Sequence, residues 1–68
     1  MRYPNIEAER ARAGMTKVTM ATSIGVSPDA VKNWQDGKND IPASKIVALA
    51  DLFSVSTDYL LGRTSSPA

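Results

Sequence analysis

A chain of 68 residues with 43% hydrophobic side chains has room for one small core and is too apolar for a disordered tail. It contains neither cysteine nor histidine, which removes a disulfide framework, thiolate metal sites and the commonest general base. The net charge of +1 and pI of about 8.1 are low for a nucleic-acid binder, whose domains commonly lie above pI ~9, so the placement of charge matters more than its sum. With no apolar run of membrane-spanning length, no signal peptide and no metal-loop spacing, a cytoplasmic protein with no cofactor, metal or membrane partner is expected.

The apolar spacings predict an all-α fold, a compact bundle of five short helices. Asn5 is placed to cap a first helix, Ile6 to Ala13, with Glu7 in its first turn and Gly14 as its stop. The apolar side of this helix is thin. Glu9 falls on or near it and is expected to be partly exposed or paired with an arginine. Thr16 is the N-cap of a second helix in which Met20, Ala21 and Ile24 make one apolar face, and Gly25 ends it. Ser27 caps a third helix with Pro28 at its first position, where a missing N–H costs nothing. Val31 and Trp34 point inward from it at i, i+3, and Gly37 stops it. Two short helical patterns joined by a tight turn are the sequence form of a helix-turn-helix.

Lys38, Asn39 and Asp40 form a polar loop. Ile41-Pro42 opens a fourth helix, whose Ile46, Leu49, Ala50 and Phe53 make an apolar stripe while Lys45 projects outward. After a turn at residues 54–56, Ser56 caps a last helix, Thr57 to Leu61, stopped by Gly62. The domain is expected at residues 1–62 and a flexible tail at 63–68. The expected core is Ile6, Met15, Met20, Ala21, Ile24, Val26, Val31, Trp34, Ile41, Ile46, Leu49, Ala50, Phe53, Val55 and Leu60. Apolar surface left over on the last helix makes Tyr59, Leu61 and Arg63 the expected contact with a second copy.

The outward face of the third helix carries Pro28, Asp29, Lys32 and Asn33. In a major groove the early residues of such a helix meet base edges. Asn33 suits adenine, Asp29 can accept from the cytosine amino group, and Lys32 can reach guanine or phosphate. Lys17, at the start of the second helix, can reach a phosphate alongside backbone N–H groups. Lys38 and Asn39 are candidates for the DNA backbone. The competing reading of each of these residues is a solvated polar side chain on an ordinary surface.

The segments Asn-Ile-Glu-Ala-Glu-Arg-Ala-Arg-Ala-Gly-Met-Thr (5–16), Ile-Gly-Val-Ser (24–27), Val-Lys-Asn-Trp-Gln-Asp-Gly (31–37), Ile-Pro (41–42) and Val-Ser-Thr-Asp-Tyr-Leu-Leu-Gly (55–62) together resemble the lambda-repressor-like, Cro/Xre-type helix-turn-helix family. The resemblance covers residues 5–62. It implies a transcriptional regulator, phage or bacterial repressor in type, that binds double-stranded operator DNA, usually as a homodimer. It places Ser27, Pro28, Asp29, Lys32 and Asn33 at base-reading positions on a recognition helix over 28–36. It places Thr16, Lys17, Lys38 and Asn39 at the phosphates. The family also pairs an arginine of its first helix with a glutamate near the end of its third. Here those positions are Arg10 and Gln35, so a charge-assisted hydrogen bond is implied in place of an ion pair.

This chain departs from the pattern at Glu9, where leucine is common, and at Pro28 and Asp29, where neutral polar side chains are common. Pro28 cannot donate to a base and Asp29 is repelled by phosphate. An alternative is therefore a protein-interaction module on the same fold, antirepressor or antitoxin-like, with a regulatory protein as partner. An enzyme is not expected: Ser44 and Lys45 are adjacent on a helix and diverge, which does not suit a nucleophile–base pair.

Overall fold

The computed structural model describes residues 3–67. Met1 and Arg2, at the start of the expected domain, and Ala68, at the end of the expected tail, lie outside the described residues. The elements are α1 (Pro4–Arg12), α2 (Lys17–Ser23), α3 (Pro28–Gln35), α4 (Ala43–Phe53) and α5 (Thr57–Leu60). Among the described residues there is no strand.

The starts of α2, α3 and α5 follow from hydroxyl caps. Thr16 Oγ1 accepts from the Thr19 amide at 3.0 Å, Ser27 Oγ from Ala30 at 3.2 Å and Ser56 Oγ from Tyr59 at 3.1 Å. Each satisfies one N–H that the first turn leaves without a helical partner. The ends share a second device. The amides of Met15, Val26, Lys38, Val55 and Arg63 donate to the carbonyls five residues earlier, at 2.9–3.1 Å. Each of these bonds needs a left-handed residue just before the donor. Glycine supplies it everywhere except at the end of α4, where Ser54 adopts φ 56°.

Two boundaries differ from expectation. Asn5 does not cap α1: the helix starts at Pro4, with Tyr3 at the N-cap and no side-chain cap bond. Proline has the φ of a first helical residue and no N–H to satisfy. Asn5 is instead the second residue of the helix, and its Nδ2 donates to the carbonyl of Tyr59 at 2.7 Å. Helix α4 starts one residue after Pro42, whose carbonyl accepts from the amides of Lys45 and Ile46.

Ile6, Met20, Ala21, Ile24, Val31, Trp34, Ile46, Leu49, Ala50, Tyr59 and Leu60 form the buried core. Each large side chain among them contributes about 1.5–3 kcal/mol on burial. The remaining expected core residues, Met15, Val26, Ile41, Phe53 and Val55, are partly buried against it. Helix α2 packs chiefly on α3, whereas α1 and α4 pack on each other and on α5. The fold thus consists of a helix-turn-helix unit set against a three-helix platform.

Inside the platform lies a polar feature that meets one expectation and corrects another. Glu9 is 5% exposed and Tyr59 is 7% exposed. Tyr59 Oη donates to Glu9 Oε2 at 3.2 Å, and Arg12 Nη2 lies 3.3 Å from the same oxygen. The arginine pairing expected for Glu9 is present. Tyr59 is withdrawn as a contact with a second copy because its side chain is used inside the fold. Segment 63–67, expected as a flexible tail, returns to the start of α5, where the Ser56 amide donates to the Pro67 carbonyl at 2.9 Å.

Candidate nucleic-acid interface

Helix α3 is presented by its own amphipathicity. Val31 and Trp34 are buried, which turns Pro28, Asp29 and Lys32 to solvent and leaves Asn33 partly exposed. Ser27 is exposed as well, its hydroxyl oxygen occupied as the cap of α3 while its proton is free to donate. The turn before α3 is held from two sides. Gly25 takes φ 74°, which lets the Val26 amide reach the Ala21 carbonyl at 3.0 Å. Lys45, expected to project outward, lies half-buried over this turn with Nζ donating to the Ile24 carbonyl at 2.9 Å. Its ammonium sits at the carbonyl end of α2, where a positive charge is favoured.

The candidate phosphate-binding residues fall into two groups. Thr16 and Lys17 sit at the start of α2, both exposed, beside the exposed Val18. Thr16 Oγ1 is engaged with Thr19, accepting from its amide and donating to its Oγ1 at 3.0 Å. Lys38 and Asn39 follow α3, and their amides both donate to the Asn33 carbonyl, at 2.9 and 3.4 Å. The loop is thereby tied to the helix it follows. Among the described residues, no ion pair engages Lys17, Lys32 or Lys38, so each keeps its charge available to an outside anion.

The direct hydrogen bond between Arg10 and Gln35 that the resemblance implied is not formed. Glu7 stands between them. Its Oε1 accepts from Arg10 Nε at 3.0 Å and from Nη2, and its Oε2 accepts from Gln35 Nε2 at 3.0 Å. Arg10 Nη1 donates onward to the Met15 carbonyl at 2.6 Å. The neutral amide at 35 cannot balance a guanidinium, and Glu7, one turn before Arg10 on the same helix, supplies the charge at i, i+3. The Arg10 hydrogen bond holds the Glu7 carboxyl below its usual range against the opposing effect of burial, with help from the charge of Arg10, the Gln35 amide and the charge of Lys17. The same contact raises the Arg10 pKa. Glu7 is the residue sequence reasoning missed here. The available signal was an arginine facing a neutral residue 35, with an acid three positions before it.

Of the residues expected at a contact with a second copy, Leu61 and Arg63 are exposed. Leu61, 37% exposed, and Val47, 51% exposed, border an open groove of about 340 Å³ that Tyr3, Ile41, Ala43, Ile46 and Thr57 complete. Among the described residues, no cluster of three or more His, Cys, Asp or Glu is arranged to hold a metal ion, and no helix is long and apolar enough to cross a membrane.

Comparison with known proteins agrees with this architecture. The model of a helix-turn-helix family matches residues 6–60. The HTH-type transcriptional regulator ImmR of Bacillus subtilis (strain 168) is 29% identical over 58 residues, which cover 85% of this chain and 46% of that protein. The uncharacterized HTH-type transcriptional regulator YobD of the same organism is 34% identical over 53 residues, covering 78% of this chain and 47% of that protein. The chain therefore spans about half the length of the curated relatives it matches. Among solved structures, the P22 c2 repressor in complex with a synthetic operator superposes with a TM-score of 0.77 at 24% identity, covering 90% of this chain and 92% of that one. With the family model spanning residues 6–60 and the helix-turn-helix geometry in place, the chain belongs to the Cro/Xre-type helix-turn-helix family.

Proposed function

We propose that this chain is a sequence-specific double-stranded DNA-binding transcriptional regulator of repressor type, acting in the cytoplasm, with α3 in the major groove. The observation that carries the reading is the outward face of α3. A capped helix, backed by Val31 and Trp34, holds Ser27, Pro28, Asp29, Lys32 and Asn33 toward solvent, and uncommitted lysines stand at the start of α2, on α3 and just after it. Asn33 and Lys32 carry the base readout. Pro28 adds apolar contact, Asp29 accepts from a cytosine amino group, and Ser27 donates. Lys17, Lys38, Thr16 and Asn39 set the register on the backbone. The names of the curated relatives support the reading.

A homodimer is part of the proposal. The longest dimension of the fold is 29 Å, shorter than the ~34–36 Å between successive major-groove faces, so one copy reads one half-site. Leu61 and Arg63 are assigned to the contact.

The test is selection of random duplexes on the purified chain, with binding of the winner followed across a salt series. A palindromic winner with a steep salt slope is expected. Absence of enrichment at low salt overturns the reading and leaves the protein-interaction module, for which the near-neutral charge and Asp29 argue.

A further inference from the structure

The helix-turn-helix unit meets the platform through few polar ties. Among the described residues, the side-chain hydrogen bonds crossing between them are Lys45 Nζ to the Ile24 carbonyl, at 2.9 Å, and Gln35 Nε2 to Glu7 Oε2, at 3.0 Å. Lys45 holds the turn. Gln35 is the last residue of α3, so its bond to Glu7 is the tie that grips the recognition helix itself. Glu7 is in turn oriented by Arg10, and Arg10 by the Met15 carbonyl just before α2. A continuous relay of Met15, Arg10, Glu7 and Gln35 therefore joins the start of the helix-turn-helix unit to the far end of α3, by way of α1.

We propose that Glu7 is a positioning residue for DNA recognition: its carboxylate, aimed by Arg10, fixes the C-terminal end of α3 and so the angle at which α3 meets the groove. This role rests on the DNA-binding reading above. The directionality of the tie makes it testable. Oε2 of Glu7 needs a donor at position 35. Gln35→Glu puts two carboxylates in contact beside a single guanidinium, and like charges repel. Glu7→Gln removes the charge that aims Arg10. Exchanging both residues restores one donor, one acceptor and one negative charge across the contact. The double variant also keeps the net charge of the natural chain, which separates orientation from bulk electrostatics.

That separation matters because affinity for arbitrary DNA follows the number of phosphates neutralised, whereas discrimination among sequences depends on the registration of side chains on base edges. The readout is accordingly the ratio of affinities for the selected duplex and a scrambled one, with thermal melting of each free variant recorded alongside. Gln35→Glu is expected to lower the ratio by at least about tenfold, a fraction of what bidentate base contacts supply. Adding Glu7→Gln is expected to restore the ratio to within about threefold, as neighbours in one network couple. A purely structural role would move the melting temperature and leave the ratio of the folded protein unchanged.

Additive losses in the double variant, or an unmoved ratio in both single variants, overturn the proposal while leaving DNA binding intact. If the natural chain enriches no duplex, the underlying reading fails and the positioning role fails with it. The tie itself is read without DNA. Arg10 and Lys17 are the charged groups acting on Glu7, and the side-chain amide resonances of Gln35 are expected to shift as Glu7 is protonated. Resonances that ignore that titration overturn the contact.

Discussion

At the scale of single residues, the positions proposed to meet DNA separate by what each can report. Asn33 is the side chain on α3 best suited to a paired contact with one base. Asn33→Ala is expected to cost about 1–3 kcal/mol on the preferred duplex and to relax selection at one position. Lys17 is a point charge at the start of α2. Lys17→Ala is expected to weaken all duplexes about equally and reduce the salt slope by about 1. Titrations of both variants against the selected and scrambled duplexes check this, and equal behaviour of the two would contradict the assignment. Ser54 carries a different lesson. It performs with φ 56° the task given to glycine at the other helix ends, so its Cβ opposes the local backbone. Ser54→Gly is expected to stabilise the fold by about 0.5–1 kcal/mol in urea denaturation. No change would mean that relief of this strain is offset by greater freedom in the unfolded chain.

Between elements, the platform is joined by hydrogen bonds as well as by apolar packing. Asn5 and Glu9 of α1 hold the backbone and the hydroxyl of Tyr59 on α5. Removing one side of a buried pair costs more than removing both. Tyr59→Phe is thus expected to destabilise by about 1–3 kcal/mol although the ring is retained, and Glu9→Leu in addition to recover part of the loss, as read by thermal melting. Between α1 and α3 the tie is ionisable. The Glu7 carboxyl, ordinarily near 4.5, is held lower in the folded protein. A depressed acid contributes stability that is complete above its unfolded pKa and lost as pH falls through the folded value. The difference in urea midpoint between the natural chain and Glu7→Gln is expected to be constant from about pH 7 to about pH 6 and to shrink as pH drops below about 4.5. A difference unchanged in acid would show that Glu7 makes no charged contact worth protecting. Because Glu7 is only partly buried, the effect is screened and modest.

At the scale of the whole fold, the 29 Å domain carries one recognition helix, so in the proposed role a second copy reads the second half-site. Leu61 and Val47 expose apolar surface beside the groove between α4 and α5. Leu61→Glu is expected to abolish cooperative occupation of a palindromic duplex while leaving binding to a half-site, seen as a change in stoichiometry by analytical ultracentrifugation of the complex. Retention of a two-to-one complex would move the contact away from α5. The net charge of +1 also acts at this scale. Long-range attraction is weak, and association is expected to depend on local lysines more than on a global field.

Much of this was legible in the chain alone. Caps at Thr16, Ser27 and Ser56, glycine stops and apolar spacing are local rules, each decided within one turn of helix. They predicted five helices, and most of the core residues were placed correctly. The face of α3 was legible for the same reason, since burying Val31 and Trp34 leaves one side outward. Partners distant in the chain were not legible. Glu7 meets Gln35 across 28 residues, Lys45 meets the Ile24 carbonyl across 21, and Tyr59 meets Glu9 across 50. A side chain's type and its position on a helix restrict where it can point. Which donor or acceptor lies there is set by how helices pack, and that decided whether Glu9 was a misplaced acid or a buried acceptor, and whether Arg10 bonded Gln35 directly or through Glu7.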